Sequence, residues 1–180
     1  MKRTGTAILF LIIGIVIVPA CAWAYLQFGG PPVAVADPLL PFEETIAKSA
    51  LHARIEHERP THDPVPVNEN TLQEGATVYM QACSFCHGSP GTESMVGNNT
   101  FPRTPQFFRP RPAGNRPPPD LARRAGGYHW YVEHGVRLTA MPSYTKVLTD
   151  TEQWEVSNLL AGRENPLPES VKKILATPVN

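Results

Sequence analysis

Cysteine is scarce in this chain of 180 residues, with three in all. Three thiols cannot staple a small fold, so a disulfide framework is excluded as its organising principle. Net charge is absent as well, because 16 Lys and Arg balance 16 Asp and Glu. That removes the general attraction of basic proteins to nucleic acid, and no nucleic-acid partner is expected. The polar–apolar alternation of half-buried strands is missing throughout, and no internal repeat is visible. No second C-x-x-C and no H-x-x-H accompany the single C-x-x-C, so a closed zinc site would lack part of its ligand set. Proline, by contrast, is plentiful and unevenly spread. Eight of the 20 prolines fall between residues 88 and 120, which makes that stretch extended or turning rather than helical.

The amino terminus carries the longest apolar run. Lys2 and Arg3 precede an uncharged segment from Ala7 to Leu26, and about 20 such residues suffice to cross a bilayer as a helix. The positive-inside rule keeps the two cations in the cytoplasm and sets Trp23 and Tyr25 at the far interface. The remainder is then expected outside the cytoplasm, on the periplasmic or outer side of a bacterial cytoplasmic membrane. Residues 1–28 are read as a retained transmembrane anchor. Cleavage near the small residues of "ACA" and "AWA", or lipid attachment at Cys21, are the alternatives, and all three export the rest of the chain.

Residues 29–67 read as a Gly- and Pro-rich spacer holding one short amphipathic helix at 42–58, where Ile46, Ala50, Leu51 and Ile55 recur at helical spacing. A compact domain is expected over 68–165, followed by a tail at 166–180. Within the domain, "TLQE" (Thr71 to Glu74) and "TDTE" (Thr149 to Glu152) match capping boxes that open helices. Helical pattern also returns over Leu121 to Gly135, and Gly162 closes the last helix.

Two of the three cysteines stand in "CSFCH", Cys83 to His87. C-x-x-C-H is the attachment signal of c-type haem. On a helix, positions i, i+3 and i+4 share one face, so Cys83, Cys86 and His87 can address one flat ligand together. The thiols suit thioether bonds to two vinyl groups, and the imidazole suits the iron beneath them. A Cys83–Cys86 disulfide, a thioredoxin-like dithiol and a zinc site each leave part of this pattern unused.

The order helix, "CSFCH", long proline-rich loop, helix, "MP", capped helix with tryptophan resembles class I cytochrome c over about residues 68–165. "VEHGVRLTAMPSY" followed by "LTDTEQWEVSNLL" is similar to the single-haem, membrane-anchored or secreted bacterial members. The resemblance implies an all-α cytochrome c fold around one covalent haem c, with electron transfer rather than enzymatic catalysis as the activity. It also implies a crossing of the first and last helices of the domain, with Gly75 or Ala76 and Tyr79 set against Trp154.

Candidates for the second axial ligand are Met80, Met95, Met141, His129 and His134. Met80 shares a helix with His87 and cannot reach the opposite face of the ring. Met95 is close to the attachment motif, and the two histidines suit a packing helix. Met141, before Pro142 in a short loop between helices, matches the family's distal methionine, so iron ligation is expected from His87 and Met141. Arg103, Arg109, Arg111, Arg116, Arg123 and Arg124 face one acid, Asp120, between Phe101 and Arg124. A solvated charged loop is the plain expectation; the functional one is that one or two of them neutralise buried haem propionates and the others guide an acidic redox partner. Trp130 and Tyr131 are expected to pack. Membership of a larger respiratory or dehydrogenase complex is the alternative to a free-standing carrier, and an open-site haem enzyme or gas sensor is the rival from another class. Without haem, so thin a core is expected to be largely unfolded.

Overall fold

The computed structural model describes residues 2–110 and 120–177; Arg111 and Arg116 of the arginine-rich loop, and residues 178–180, lie outside the described residues. Among the described residues there are eight helices and no strand: α1 (Lys2–Phe28), α2 (Glu43–Glu58), α3 (Glu69–Ala82), α4 (Ser84–His87), α5 (Met95–Asn98), α6 (Leu121–His134), α7 (Asp150–Gly162) and α8 (Glu169–Leu175). The all-α expectation holds. The chain divides into two compact units, Met1–Glu44 and Thr45–Asn180.

In the first unit, α1 exposes apolar side chains all round, from Phe10 to Phe28. Its segment Phe10–Phe28 has a mean hydropathy of 2.1, long and apolar enough to cross a membrane. After α1 the chain turns at Asp37, whose carboxylate accepts from the Val33 and Ala34 amides at 2.8 Å each.

In the second unit, α7 is the central rod. Every residue from Gln153 to Ala161 is buried, because α3 packs on one side of the helix and α6 on another. The α3–α7 crossing brings backbones together at Gly75, where an added Cβ would lie 2.3 Å from the Glu155 carbonyl oxygen. Only glycine permits that approach. Around it, Tyr79, Val156 and Leu159 are wholly buried, each worth about 1.5–3 kcal/mol of transfer free energy for an aliphatic or aromatic side chain. Trp154 does not face Tyr79 as the resemblance implied. It packs with Ala125 and Ala161 on the α6 side and stacks on His129 at 4.2 Å between centroids. Successive α7 positions diverge by about 100°, so Val156, Leu159 and Leu160 meet α3 while Trp154 meets α6.

Helix ends follow local chemistry. The box at Thr149–Glu152 forms as expected. The first box is displaced, however: Asn68 caps α3 and Thr71 returns the bond, so the helix begins at Glu69 rather than Thr71. Asp120 caps α6, and Gly135 closes it in the left-handed region at φ 66°. Residues 166–180 are not merely a tail. They carry α8, whose Val171 and Leu175, four residues apart on one face, are buried in the core against α3.

The segment before α3 is also part of this unit. Ile55 of α2 is buried, Glu56 pairs with Arg123 at 2.8 Å, and Trp130 donates to Glu58 at 3.0 Å. The proline-rich stretch then crosses α6 at Gly126, where a Cβ would lie 2.2 Å from the Pro60 carbonyl oxygen.

Candidate functional site

The attachment motif sits where α3 ends. Cys83 is the C-cap of α3 and the N-cap of α4, and its carbonyl accepts from both Cys86 and His87 amides. One tight turn therefore carries all three side chains. Both thiols are free. Cys83 is buried, and that burial, with Cys86 adding to it, pushes its thiol up to about 12. Phe107, Phe108, Tyr128, Tyr144 and Leu148 remain half-exposed against the core cluster that contains Cys83.

His87 is held from both sides. Its Nδ1 lies 2.8 Å from the Pro105 carbonyl oxygen. That acceptor fixes the proton on Nδ1 and leaves Nε2 with its lone pair free. The ring also stacks on Phe107, 4.4 Å between centroids and 9° between planes. Burial holds its pKa below the ordinary histidine range, partly offset by the bond to Pro105, which keeps the imidazole neutral and able to donate to a metal.

A polar clamp fixes the backbone of the motif. Gln106 donates to the Cys86 carbonyl at 3.0 Å and accepts from the Ser94 amide at 2.8 Å. Ser94 in turn donates to the Phe85 carbonyl at 2.5 Å. Gly97 lies directly on the motif, where a Cβ would stand 1.9 Å from the Cys86 carbonyl oxygen. Tyr79 donates to the Gly88 carbonyl at 2.6 Å. Gln106, Ser94 and Gly97 were not singled out in the sequence; they act through loop contacts that spacing along the chain does not encode.

The other candidate ligands are scattered. Met80 is in the core. Met95, at the start of α5, is 82% exposed. His129 is buried between α6 and α7, its Nε2 3.1 Å from Asp150 and its ring on Trp154. His134 stacks on Trp130 at 4.8 Å, with Nδ1 3.1 Å from the Trp130 carbonyl. Both histidines are thus engaged in packing, as are Trp130 and Tyr131, whose rings meet edge to face.

Met141 is half-buried in a loop folded back on the end of α6. Its amide donates to Thr139 Oγ1 at 3.1 Å and its carbonyl accepts from the Val136 amide at 3.1 Å. Gly135 allows the return, since a Cβ there would be 2.8 Å from the Met141 carbonyl oxygen and closer still to Pro142. Beyond the loop, Ser143 donates to the Glu133 carbonyl, the Tyr144 amide donates to Val132 at 2.9 Å, and the Tyr144 hydroxyl donates to the Ala82 carbonyl at 2.8 Å. That last bond ties the Met141 loop to the residue preceding Cys83.

The arginines have internal partners. Arg109 makes two bonds to Glu93 at 2.6 and 3.0 Å. Arg123 pairs with Glu56 and Arg124 with Glu164. Arg103 donates to the Asn98 carbonyl. Three of the six arginines read along the sequence, Arg109, Arg123 and Arg124, are therefore met by acids distant in the chain. The arginine that is buried among the described residues is Arg163.

No group of three or more His, Cys, Asp and Glu among the described residues is placed to hold a bare metal ion. A porphyrin fits the motif better: two thiols and an imidazole on one turn, a free Nε2, and a wall of large half-exposed apolar side chains. The family model described as "Cytochrome C oxidase, cbb3-type, subunit III" matches residues 70–160, from α3 almost to the end of α7. No curated protein and no solved structure matches the chain. A family match over half the chain, on the residues that build this motif, means that the chain belongs to the family described as cbb3-type cytochrome c oxidase subunit III and is a class I c-type cytochrome, an electron-transfer protein with one covalent haem c and an apolar helix suited to membrane anchoring.

Proposed function

We propose that the protein carries single electrons on the outer side of a bacterial cytoplasmic membrane, through a haem attached by Cys83 and Cys86 and ligated by His87 and Met141. Residues 1–28 serve as the retained anchor. Haem supplies a one-electron couple between ferric and ferrous iron, and the chain supplies ligands, shielding and orientation. The observation that carries the reading is the bond between His87 Nδ1 and the Pro105 carbonyl, on a turn that also presents both cysteines. It fixes the tautomer and turns Nε2 away from the Pro105 carbonyl. Met141 is supported by its bonded loop and by its link through Tyr144 to the attachment helix. A thioether sulfur suits ferrous iron and, opposite histidine, raises the potential.

The test uses the full chain from solubilised membranes. Haem should survive a denaturing gel, the oxidised protein should show a weak far-red charge-transfer band, and the reduced protein should not bind carbon monoxide. Haem extracted by acidic acetone would overturn covalent attachment through the cysteines. Ready carbon monoxide binding would favour the open-site enzyme or sensor.

A second reading is favoured by the family's description, which names a subunit of a cytochrome c oxidase. On that reading the domain passes electrons within a larger membrane complex. Purification after mild solubilisation distinguishes the two: stoichiometric co-elution with other haem subunits identifies the complex, and elution alone identifies a free carrier.

A further inference from the structure

Arg163 follows α7 and is the most deeply placed guanidinium among the described arginines, its side chain 2% exposed. Its Nε donates to the Phe107 carbonyl at 3.0 Å and its Nη1 donates to the Tyr128 hydroxyl at 2.6 Å and to the Leu160 carbonyl. The guanidinium carbon stands 5.3 Å from the centroid of the Phe107 ring and 5.5 Å from that of Tyr128. Nη2 is buried without a hydrogen-bond partner, and the one acid beside it, Glu164, is 3.6 Å away and half-exposed. A buried cation so weakly compensated is costly to keep for packing alone, because apolar residues of similar volume usually serve as well.

Its position gives it a second use. Phe107 stacks on the His87 ring on one side and meets the Arg163 guanidinium on another. The positive charge is thus separated from the imidazole by a single aromatic ring. Oxidation of a haem adds one positive charge next to that imidazole. A fixed cation nearby disfavours the added charge and so favours the reduced state.

We propose that Arg163 raises the reduction potential of the haem from behind the proximal histidine, with Phe107 as the spacer that sets its distance. Arg163 is a tuning and positioning residue, not a ligand. The proposal rests on the assignment of His87 as the proximal ligand. For charges about 10 Å apart at an effective dielectric of about 20, Coulomb's law gives on the order of a tenfold effect on the reduction equilibrium, moderated by Glu164.

The test is a redox titration of the full-length haem protein in detergent, with pyridine haemochrome spectra taken alongside. Arg163→Met should shift the reduction equilibrium on the order of tenfold toward the oxidised form, about 59 mV for a one-electron couple. Arg163→Lys keeps the charge and loses the fork, so its potential should stay within about twofold of wild type in the same equilibrium even where its melting temperature falls. Glu164→Gln should shift the equilibrium the other way, toward the reduced form, when made in an Arg124→Gln background so that Arg124 does not contribute. Arg163→Met with an intact c-type spectrum and an unchanged potential overturns the proposal. If Arg163→Met fails to retain haem, the Glu164→Gln comparison decides, and no upward shift overturns the proposal. A His87→Ala protein that keeps wild-type spectrum and potential would instead defeat the assignment of His87, leaving a distinct signature from failure at Arg163.

Discussion

The two loops that bear the proposed iron ligands are held in different ways. The loop on the His87 side is fixed by bonds that span many residues: Pro105 to His87, Gln106 to Cys86 and Ser94, Ser94 to Phe85. The Met141 loop is fixed mostly by its own neighbours, Val136 and Thr139, and by the end of α6. Its longest tie among the described residues is Tyr144 to Ala82. A site organised by long-range bonds forms only when the domain folds and is then rigid. A site organised by local bonds keeps its shape but depends on its mounting. The histidine side should therefore govern whether haem is held, and the methionine side how the held haem behaves.

The strongest way to break the contrast is His87→Ala. It should leave membranes with little or no haem-stained protein, a loss of at least tenfold, read on a denaturing gel against an antibody for the chain. Gly97→Ala comes next. The new Cβ would meet the Cys86 carbonyl at 1.9 Å, a backbone contact with little freedom to yield. A loss of about 2–4 kcal/mol is expected, seen as a lowered denaturation midpoint and reduced haem content. Met141→Ala should separate the two sides cleanly. Haem should remain covalent, while the far-red band disappears, the potential falls and the reduced protein binds carbon monoxide. Met95→Ala, at an exposed position, should change none of these.

A smaller effect is expected of Tyr144→Phe, which removes the bond to Ala82 and costs about 1 kcal/mol. The far-red band should then vanish at lower denaturant than the haem-region absorbance, because the methionine loop has lost its long tie. The smallest effect belongs to Glu93. Its carboxyl is held below the ordinary range by Arg109 and then by Asn98. Its contribution is therefore complete above the ordinary carboxylate pKa and is lost as the pH falls through the depressed value. Protection factors of the amides of residues 92–109, taken against the intrinsic exchange rate at each pH, should fall slightly below that point in wild type, and Glu93→Gln should remove this acid dependence. An acid-sensitive methionine loop instead would reverse the comparison.

Much of this organisation was legible in the sequence because its signals are local. "CSFCH" carries its own geometry, Thr149 to Glu152 its own cap, and α1 its own length and apolarity. What escaped has long-range causes. Asn68 rather than Thr71 caps α3 because Asn accepts from the third amide while Thr71 bonds back, a choice the letters leave open. The α8 return needed the groove of α3 to make sense of Val171 and Leu175. Gln106 reads as one polar residue in a proline-rich loop until it is seen against Cys86. Arg163 did leave a trace: it caps the end of α7 and lies three, four and seven residues after the apolar Leu160, Leu159 and Val156. A cation on an apolar stripe is the pattern to look for.

The stretch between α1 and α2 is short. Residues 29–42 join α1 to α2, and 14 residues reach at most on the order of 50 Å when fully extended. For a chain anchored through α1, that length bounds how far the start of α2 can stand from the membrane surface. A partner in the same membrane would then be met close to its surface. Encounter then depends on lateral diffusion of two membrane proteins rather than on affinity. A weak, fast-releasing interface suffices under those conditions, and turnover is better served by it than by tight binding.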